Sequence, residues 1–209
     1  LIVDALTTNE TFFFRDIHPF AALEKTILPE LISRKAQERH ISIWSGASST
    51  GQEAYSIAMM IHKHFPEVHD WKITILGTDI SRTALFRAQQ GTFSQLEVNR
   101  GLPANYLVNY FEKVGNEWVI SDKIRNMADF QYLNLCESFS LLRNFDVIFM
   151  RNVLIYFDVE TKKKILHNLK TRLEPEGVMF LGTAETTMNI DAGWKPVKYG
   201  QATPYQVAE

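Results

Sequence analysis

The run Ile41-Ser42-Ile43-Trp44-Ser45 followed by Gly46-Ala-Ser-Ser-Thr-Gly51 and then Gln52-Glu53-Ala54-Tyr55-Ser56 decides how the chain folds. A short apolar run enters a glycine-containing loop and leaves as a helix in which Ala54, Ile57, Ala58, Ile61 and Phe65 recur at helical spacing. Strand, glycine loop and helix in that order form the opening unit of a parallel α/β sheet, whose ligands bind at the carboxyl ends of the strands. Further short apolar runs extend the same rhythm: Lys72 to Thr78, Asp146 to Met150, Gly177 to Gly182 and the weaker Asp129 to Leu133. Phe20, Leu23, Ile27 and Leu31 form one apolar helical face, and Ile165, Leu166, Leu169 and Leu173 another, the latter opened by Asp158 as N-cap. Ser81 opens a helix that Gly91 closes after Gln90, and Glu174-Pro175-Glu176-Gly177 reads as a turn into the following strand.

The rhythm breaks from Thr92 to Asn126, where Pro103 starts a short helix and Gly115-Asn116 joins two strand-like runs in a hairpin. This stretch, about 92–126, is expected to be a small inserted antiparallel β-subdomain. The segment from Trp194 to Val207 reads as an antiparallel pair completing one sheet edge. The 209 residues are one domain's worth of chain, 45% hydrophobic and 22% charged, as expected of a folded globular unit. With 22 basic against 24 acidic residues there is no broad positive field for a nucleic acid backbone. The single cysteine, Cys136, excludes a disulfide framework and a thiolate zinc site, and reads as a packed small residue in a cytoplasmic protein. His62, His64 and His69 do not complete a ligand set, so no metal is expected. No apolar stretch approaches the ~20 residues of a membrane span.

The ligand class follows from the loop. Its glycines do not match the dinucleotide pattern, and no Lys-Ser/Thr follows Gly51 as in a phosphate-binding loop. Glu53 at the helix start would repel phosphate and attract a cation. S-adenosylmethionine, with a sulfonium, an ammonium and no phosphate, suits that sign. Asp79, ending the second strand, can accept both hydroxyls of a ribose, or alternatively cap the helix beginning at Ser81. Asn134 and Leu135 follow the weaker strand, and Asn152, Val153 and Tyr156 follow the Asp146 to Met150 strand, all on the sheet edge that holds Gly46 and Asp79. An amide and backbone groups there suit an adenine, and the Tyr156 hydroxyl can point toward a reacting methyl; the plainer alternative is that these residues are core and turn. Three consecutive aromatics, Phe12 to Phe14, cannot share one helix face, so the segment carrying them must be wedged among other elements. Arg15 then becomes a partly buried cation, paired with Asp16 or Glu10 or else aimed at the active site.

Five segments together resemble the chemotaxis receptor methyltransferase (CheR) family over nearly the whole chain: TTNETFFFR (7–15), WSGASSTGQEAYS (44–56), GTDIS (77–81), LNL (133–135) and RNVLIYFD (151–158). The resemblance implies a Rossmann-like class I methyltransferase fold and methyl transfer from S-adenosylmethionine to glutamate side chains of chemoreceptors, with S-adenosylhomocysteine as product. By position it implies cofactor contacts from Asn9, Thr11, Arg15, Glu53, Asp79, Asn134, Leu135, Asn152 and Val153, with Arg15 and Tyr156 nearest the methyl. Gln52 and Ala54 stand where the family more often has Glu and Pro, while Glu53 is retained. The chain begins six residues before Thr7, so the family's N-terminal helical domain, which helps engage the receptor, is expected to be missing from a trimmed fragment. The two-residue Gly115-Asn116 turn is too short for the Gly-rich loop of members that grip a receptor's C-terminal pentapeptide, so no such tether is expected. A monomer whose partner is the receptor's cytoplasmic helical domain is expected. The rival readings are a methyltransferase with another acceptor, and a binding module that takes up the cofactor or its product without turnover.

Overall fold

The computed structural model of the chain describes residues 10–208. In chain order the strands are β1 (His40–Gly46), β2 (Lys72–Asp79), β3 (Thr92–Ser94), β4 (Phe111–Val114), β5 (Glu117–Ile120), β6 (Ala128–Tyr132), β7 (Phe145–Met150), β8 (Leu173–Leu181), β9 (Trp194–Pro196) and β10 (Tyr205–Val207). The helices are α1 (Ile17–Ala22), α2 (Leu28–Arg34), α3 (Gln52–His64), α4 (Arg82–Gln90), α5 (Gln95–Val98), α6 (Ala104–Tyr110), α7 (Asp122–Arg125) and α8 (Val159–Lys170). A π-helical turn, Leu23–Ile27, joins α1 to α2.

The main sheet has the order β6-β2-β1-β7-β8-β10-β9, parallel from β6 to β8 and antiparallel at β10 and β9. Strand order reverses between β1 and β7, and the crevice at such a reversal is where open α/β sheets bind ligands. Period-two alternation explains why the sheet is covered on both faces. Val147, Phe149, Val178 and Phe180 pack in one core with α1, α2 and α3, while Ile148, Met150, Met179 and Leu181 pack in the other with Ile165, Leu166 and Leu169 of α8. The expected Rossmann-like arrangement is therefore present, with its antiparallel edge.

The local stop and start signals behave as their chemistry dictates. Ser81 Oγ accepts from the Ala84 N–H, Asp158 caps α8 through the Thr161 N–H, and Gly91 closes α4 at φ 62°. Between α4 and β6 the inserted strands form a small sheet of order β3-β5-β4, turned at Gly115 with φ 61°. Two readings need correction. Glu174 to Gly177 lies within β8 as a bulge, because the register advances from Phe145↔Leu173 directly to Val147↔Val178. Pro175 has no N–H for the ladder, so the strand bends and re-enters register without ending. Cys136 is exposed, because Leu135 takes the buried place at the end of β6 and Cys136 turns outward. Among the described residues no helix is long and apolar enough to cross a membrane.

The three aromatics are wedged as expected, each into a different surrounding. Phe13 packs edge-on against Phe93 and Phe111 of the inserted sheet, at 5.0 and 5.7 Å between ring centroids. Phe14 meets Phe20 and Tyr106, and Phe12 lies under the Arg15 and Arg100 guanidinium groups. This wedge fixes the backbone that carries Arg15.

Candidate active site

The site begins at the end of β1. A Cβ on Gly46 would fall on the end of the Met150 side chain, which fills the space a larger residue would need here. The following loop places Ala47 and Ser49 at φ 52° and 51° and Gly51 at φ 92°. Left-handed backbone at non-glycine residues costs energy and persists only where the surroundings enforce it. Here the backbone N–H groups do so: Ser48 donates to the Thr78 carbonyl at 2.8 Å, Ser49 to Asp79 Oδ2 at 2.8 Å and Gly51 to the Ser48 carbonyl at 3.0 Å. A phosphate cradle presents such N–H groups outward to its ligand. This loop turns them inward.

Asp79 is the second anchor. Its Oδ2 takes the Ser49 N–H and its Oδ1 the Ser81 N–H, each at 2.8 Å. The cap of α4 is Ser81 itself, which answers the alternative reading of Asp79 as that cap. The carboxylate instead ties the glycine loop to the end of β2.

Arg151, at the end of β7, is the residue the sequence left without a role. Its side chain is 1% exposed, and its Nη1 donates to Glu53 Oε2 at 2.8 Å. Its Nη2 donates to both the Arg15 carbonyl and Asp16 Oδ2 at 2.8 Å. Glu53 completes its own set by accepting from Ser45 Oγ at 2.7 Å. One guanidinium thus joins β7, the start of α3 and the Arg15 segment. The carboxylate at Glu53, read from sequence as attracting a cationic ligand, also shares its charge with a protein cation.

Arg15 does not make the ion pairs considered for it. Asp16 is paired with Arg151, and the Glu10 carboxylate with Arg100 at 2.5 Å. The Arg100 hydrogen bond holds the Glu10 carboxyl below the usual range. Arg15 Nη1 donates to the Glu10 carbonyl at 3.1 Å. Thr11 lines a cleft of about 340 Å³ with Thr50, Gln52, Ser81, Arg87 and Arg100, beside the glycine loop. Asn9 lies outside the described residues.

At the end of β6, Asn134 accepts from the Cys136 N–H and donates to Glu137 Oε1, while Leu135 is buried. At the end of β7, Asn152 sits at φ 59° and its N–H donates to Glu185 Oε2 at 2.7 Å; the Val153 N–H donates to Oε1 at 2.9 Å. Tyr156 ends a 3₁₀ turn, Leu154–Tyr156, with 61% of its surface exposed. The strands therefore bring Glu53, Asp79, Asn134, Asn152 and Val153 to one sheet edge, and Arg151 draws Arg15 to it. Arg151 and Glu185 are the two site residues missed by sequence reasoning. The first stood inside a quoted motif, and the second had no local signal. Among the described residues no group of three or more His, Cys, Asp or Glu side chains could hold a metal ion.

Comparison with known proteins adds a family. The one described as CheR methyltransferase, SAM binding domain, matches residues 9–201. The chain is 38% identical over 211 residues to chemotaxis protein methyltransferase 1 of Pseudomonas aeruginosa, covering 99% of this chain and 76% of that one. It is 38% identical over 209 residues to a chemotaxis protein methyltransferase of Vibrio parahaemolyticus, covering 98% and 74%. Among solved structures, magnesium protoporphyrin IX methyltransferase from Synechocystis PCC 6803 with bound SAM is similar over 94% of this chain and 83% of that one, with 12% identity and a TM-score of 0.43.

Proposed function

The chain belongs to the CheR methyltransferase family and carries its SAM-binding domain, and from that footing we propose that it methylates glutamate γ-carboxylates on the cytoplasmic helical domain of bacterial chemoreceptors. The observation that carries this reading is the charge and hydrogen-bond polarity of the sheet edge. In the loop after β1 the Ser48, Ser49 and Gly51 N–H groups bond within the protein while Asp79 and Glu53 supply carboxylate oxygens, an acceptor set suited to a cationic nucleoside and poorly suited to a diphosphate. Each carboxylate oxygen has capacity for more than one hydrogen bond, so Asp79 can hold a ribose and still keep the loop in place.

When bound, S-adenosylmethionine supplies an electrophilic methyl on a sulfonium sulfur. Asp79 would hold its ribose hydroxyls; Asn134 and Leu135 would border the adenine. Glu53, Asn152 and Val153, with Asn9 and Thr11, would hold the remainder. Arg15 and Tyr156 would hold the acceptor carboxylate. A glutamate side chain with an unperturbed pKa of about 4.3 is already ionised near neutral pH, so the protein needs no general base. What remains is alignment, where positioning can supply up to ~7–11 kcal/mol. The reacting charges cancel as transfer proceeds, so a strongly charged pocket would favour the ground state over the transition state. Arg151 serves that requirement by offsetting part of the Glu53 and Asp16 charge within the protein. We read residues 1–209 as one catalytic unit of a cytoplasmic monomer, with 92–126 as its insert. The two-residue turn at Gly115-Asn116 leads us to expect no pentapeptide tether.

Transfer of tritiated methyl into receptor-containing membranes tests this reading. Tyr156→Phe and Arg15→Ala are each expected to reduce kcat about tenfold or more, the size of one lost hydrogen bond to a charged group, while S-adenosylhomocysteine affinity changes less. Wild-type turnover in both variants would remove their assigned roles. Uptake of S-adenosylhomocysteine without transfer to any receptor would favour the binding-module reading.

A further inference from the structure

We infer that Glu185 is a positioning residue that sets the acceptor side of the site, an inference resting on the methyltransferase reading above. Its carboxylate receives four backbone N–H groups: Gly182 at 2.6 Å and Asn152 at 2.7 Å on Oε2, Val153 at 2.9 Å and Ile155 at 3.3 Å on Oε1. Three of these come from the loop that follows β7 and one from the end of β8, so a single side chain joins the two strand ends. The loop needs this hold. Asn152 sits in left-handed backbone at φ 59°, a conformation asparagine tolerates better than other side chains, and its N–H is fixed there by Glu185. Ile155 and Tyr156 are exposed, so side-chain packing secures this turn through Leu154 and the partly buried Val153 and Phe157 on either side, and leaves the Tyr156 side chain to the backbone hydrogen bonds. Tyr156 is reached through Val153, because the Tyr156 N–H donates to the Val153 carbonyl at 3.2 Å.

Gly182 shows how closely the cluster is fitted. A Cβ there would lie 2.6 Å from Asn152 Nδ2, 2.8 Å from Glu185 Oε2 and 2.9 Å from the Asn152 nitrogen. No positive φ is required of Gly182, so close approach alone accounts for the glycine.

Two variants reach the cluster by different routes. In Glu185→Gln, either orientation of the amide sets an NH₂ group against two backbone N–H donors. In Gly182→Ala, no charge changes and the added methyl pushes against the same contacts. Both are expected to shift the backbone amide resonances of Asn152, Val153 and Tyr156 and to lower kcat about tenfold or more, as misplacement of a reacting group does. S-adenosylhomocysteine affinity should fall by a smaller factor, since Glu53 and Asp79 are untouched, and the melting transition should stay cooperative with the protein fully folded at the assay temperature. Unmoved resonances, wild-type kcat in Glu185→Gln, or a loss of rate matching only the unfolded fraction would each overturn the inference. A wild-type protein that neither takes up S-adenosylhomocysteine nor transfers methyl would overturn the parent reading, and this one with it. A wild type that methylates receptors while Glu185→Gln does so equally well would overturn the role of Glu185 alone.

Discussion

Arg151→Met is expected to lower the unfolding free energy by about 3 kcal/mol, toward the lower end of the cost of removing one partner from a buried ion pair. The reasoning is asymmetric. Methionine fills much of the same space, so the loss comes less from packing than from what is left behind. The Glu53 side chain is 13% exposed and would lose its only protein cation among the described residues, while Asp16, at 30% exposed, can recover some water. For a chain of this size, about 2–4 °C per kcal/mol gives a fall in melting temperature of roughly 6–12 °C. The Arg15 carbonyl loses its donor as well, so methyl transfer should fall even below the melting range. Arg151→Lys should lie between, because a single ammonium lacks the planar fork that reaches Glu53 and Asp16 together. Denaturant unfolding of the three proteins checks this. A methionine variant as stable as the wild type would show that the three-way contact contributes little.

Asp79→Asn is expected to weaken S-adenosylhomocysteine binding by about 100-fold, the equivalent of two hydrogen bonds to a charged group at roughly 1.5 kcal/mol each. Two effects act together. The substituted amide offers one oxygen in place of two, so the Ser49 or Ser81 N–H loses its acceptor and the left-handed turn at Ser49 loses part of what enforces it. The ribose hydroxyls also lose an ionised acceptor. Isothermal calorimetry on the folded variant is the measurement. Affinity within about threefold of wild type, less than 1 kcal/mol, would remove Asp79 from the proposed cofactor site.

The parts of this fold that could be read in the sequence are those whose cause is local. Ile41 to Ser45, Lys72 to Thr78 and Asp146 to Met150 announce buried strands because both faces are apolar, and Ser81 with Gly91 marks a helix because capping involves only neighbours along the chain. Gly115-Asn116 gives a hairpin for the same reason. Pro175 misled because a proline in a strand and a proline in a turn share one local signature, and only pairing with β7 tells them apart. The site followed the same division. Glu53, Asp79 and Asn152 could be placed once strand ends were known, since parallel strands send their carboxyl ends to one edge. Arg151 lies 98 residues from Glu53 and 135 from Asp16, and Glu185 lies 33 from Asn152, so their partnerships depend on topology. Arg15 is partly buried, as the aromatic run before it implies, but the Asp16 and Glu10 carboxylates pair with Arg151 and Arg100.

Calorimetric titration of the folded protein with S-adenosylhomocysteine, set beside an identical titration with NAD, tests the central claim most directly. The inward-turned loop and the carboxylates of Glu53 and Asp79 predict saturable one-to-one uptake of S-adenosylhomocysteine and no heat from NAD. Binding of the pyrophosphate coenzyme, with none of the sulfur nucleoside, would contradict it.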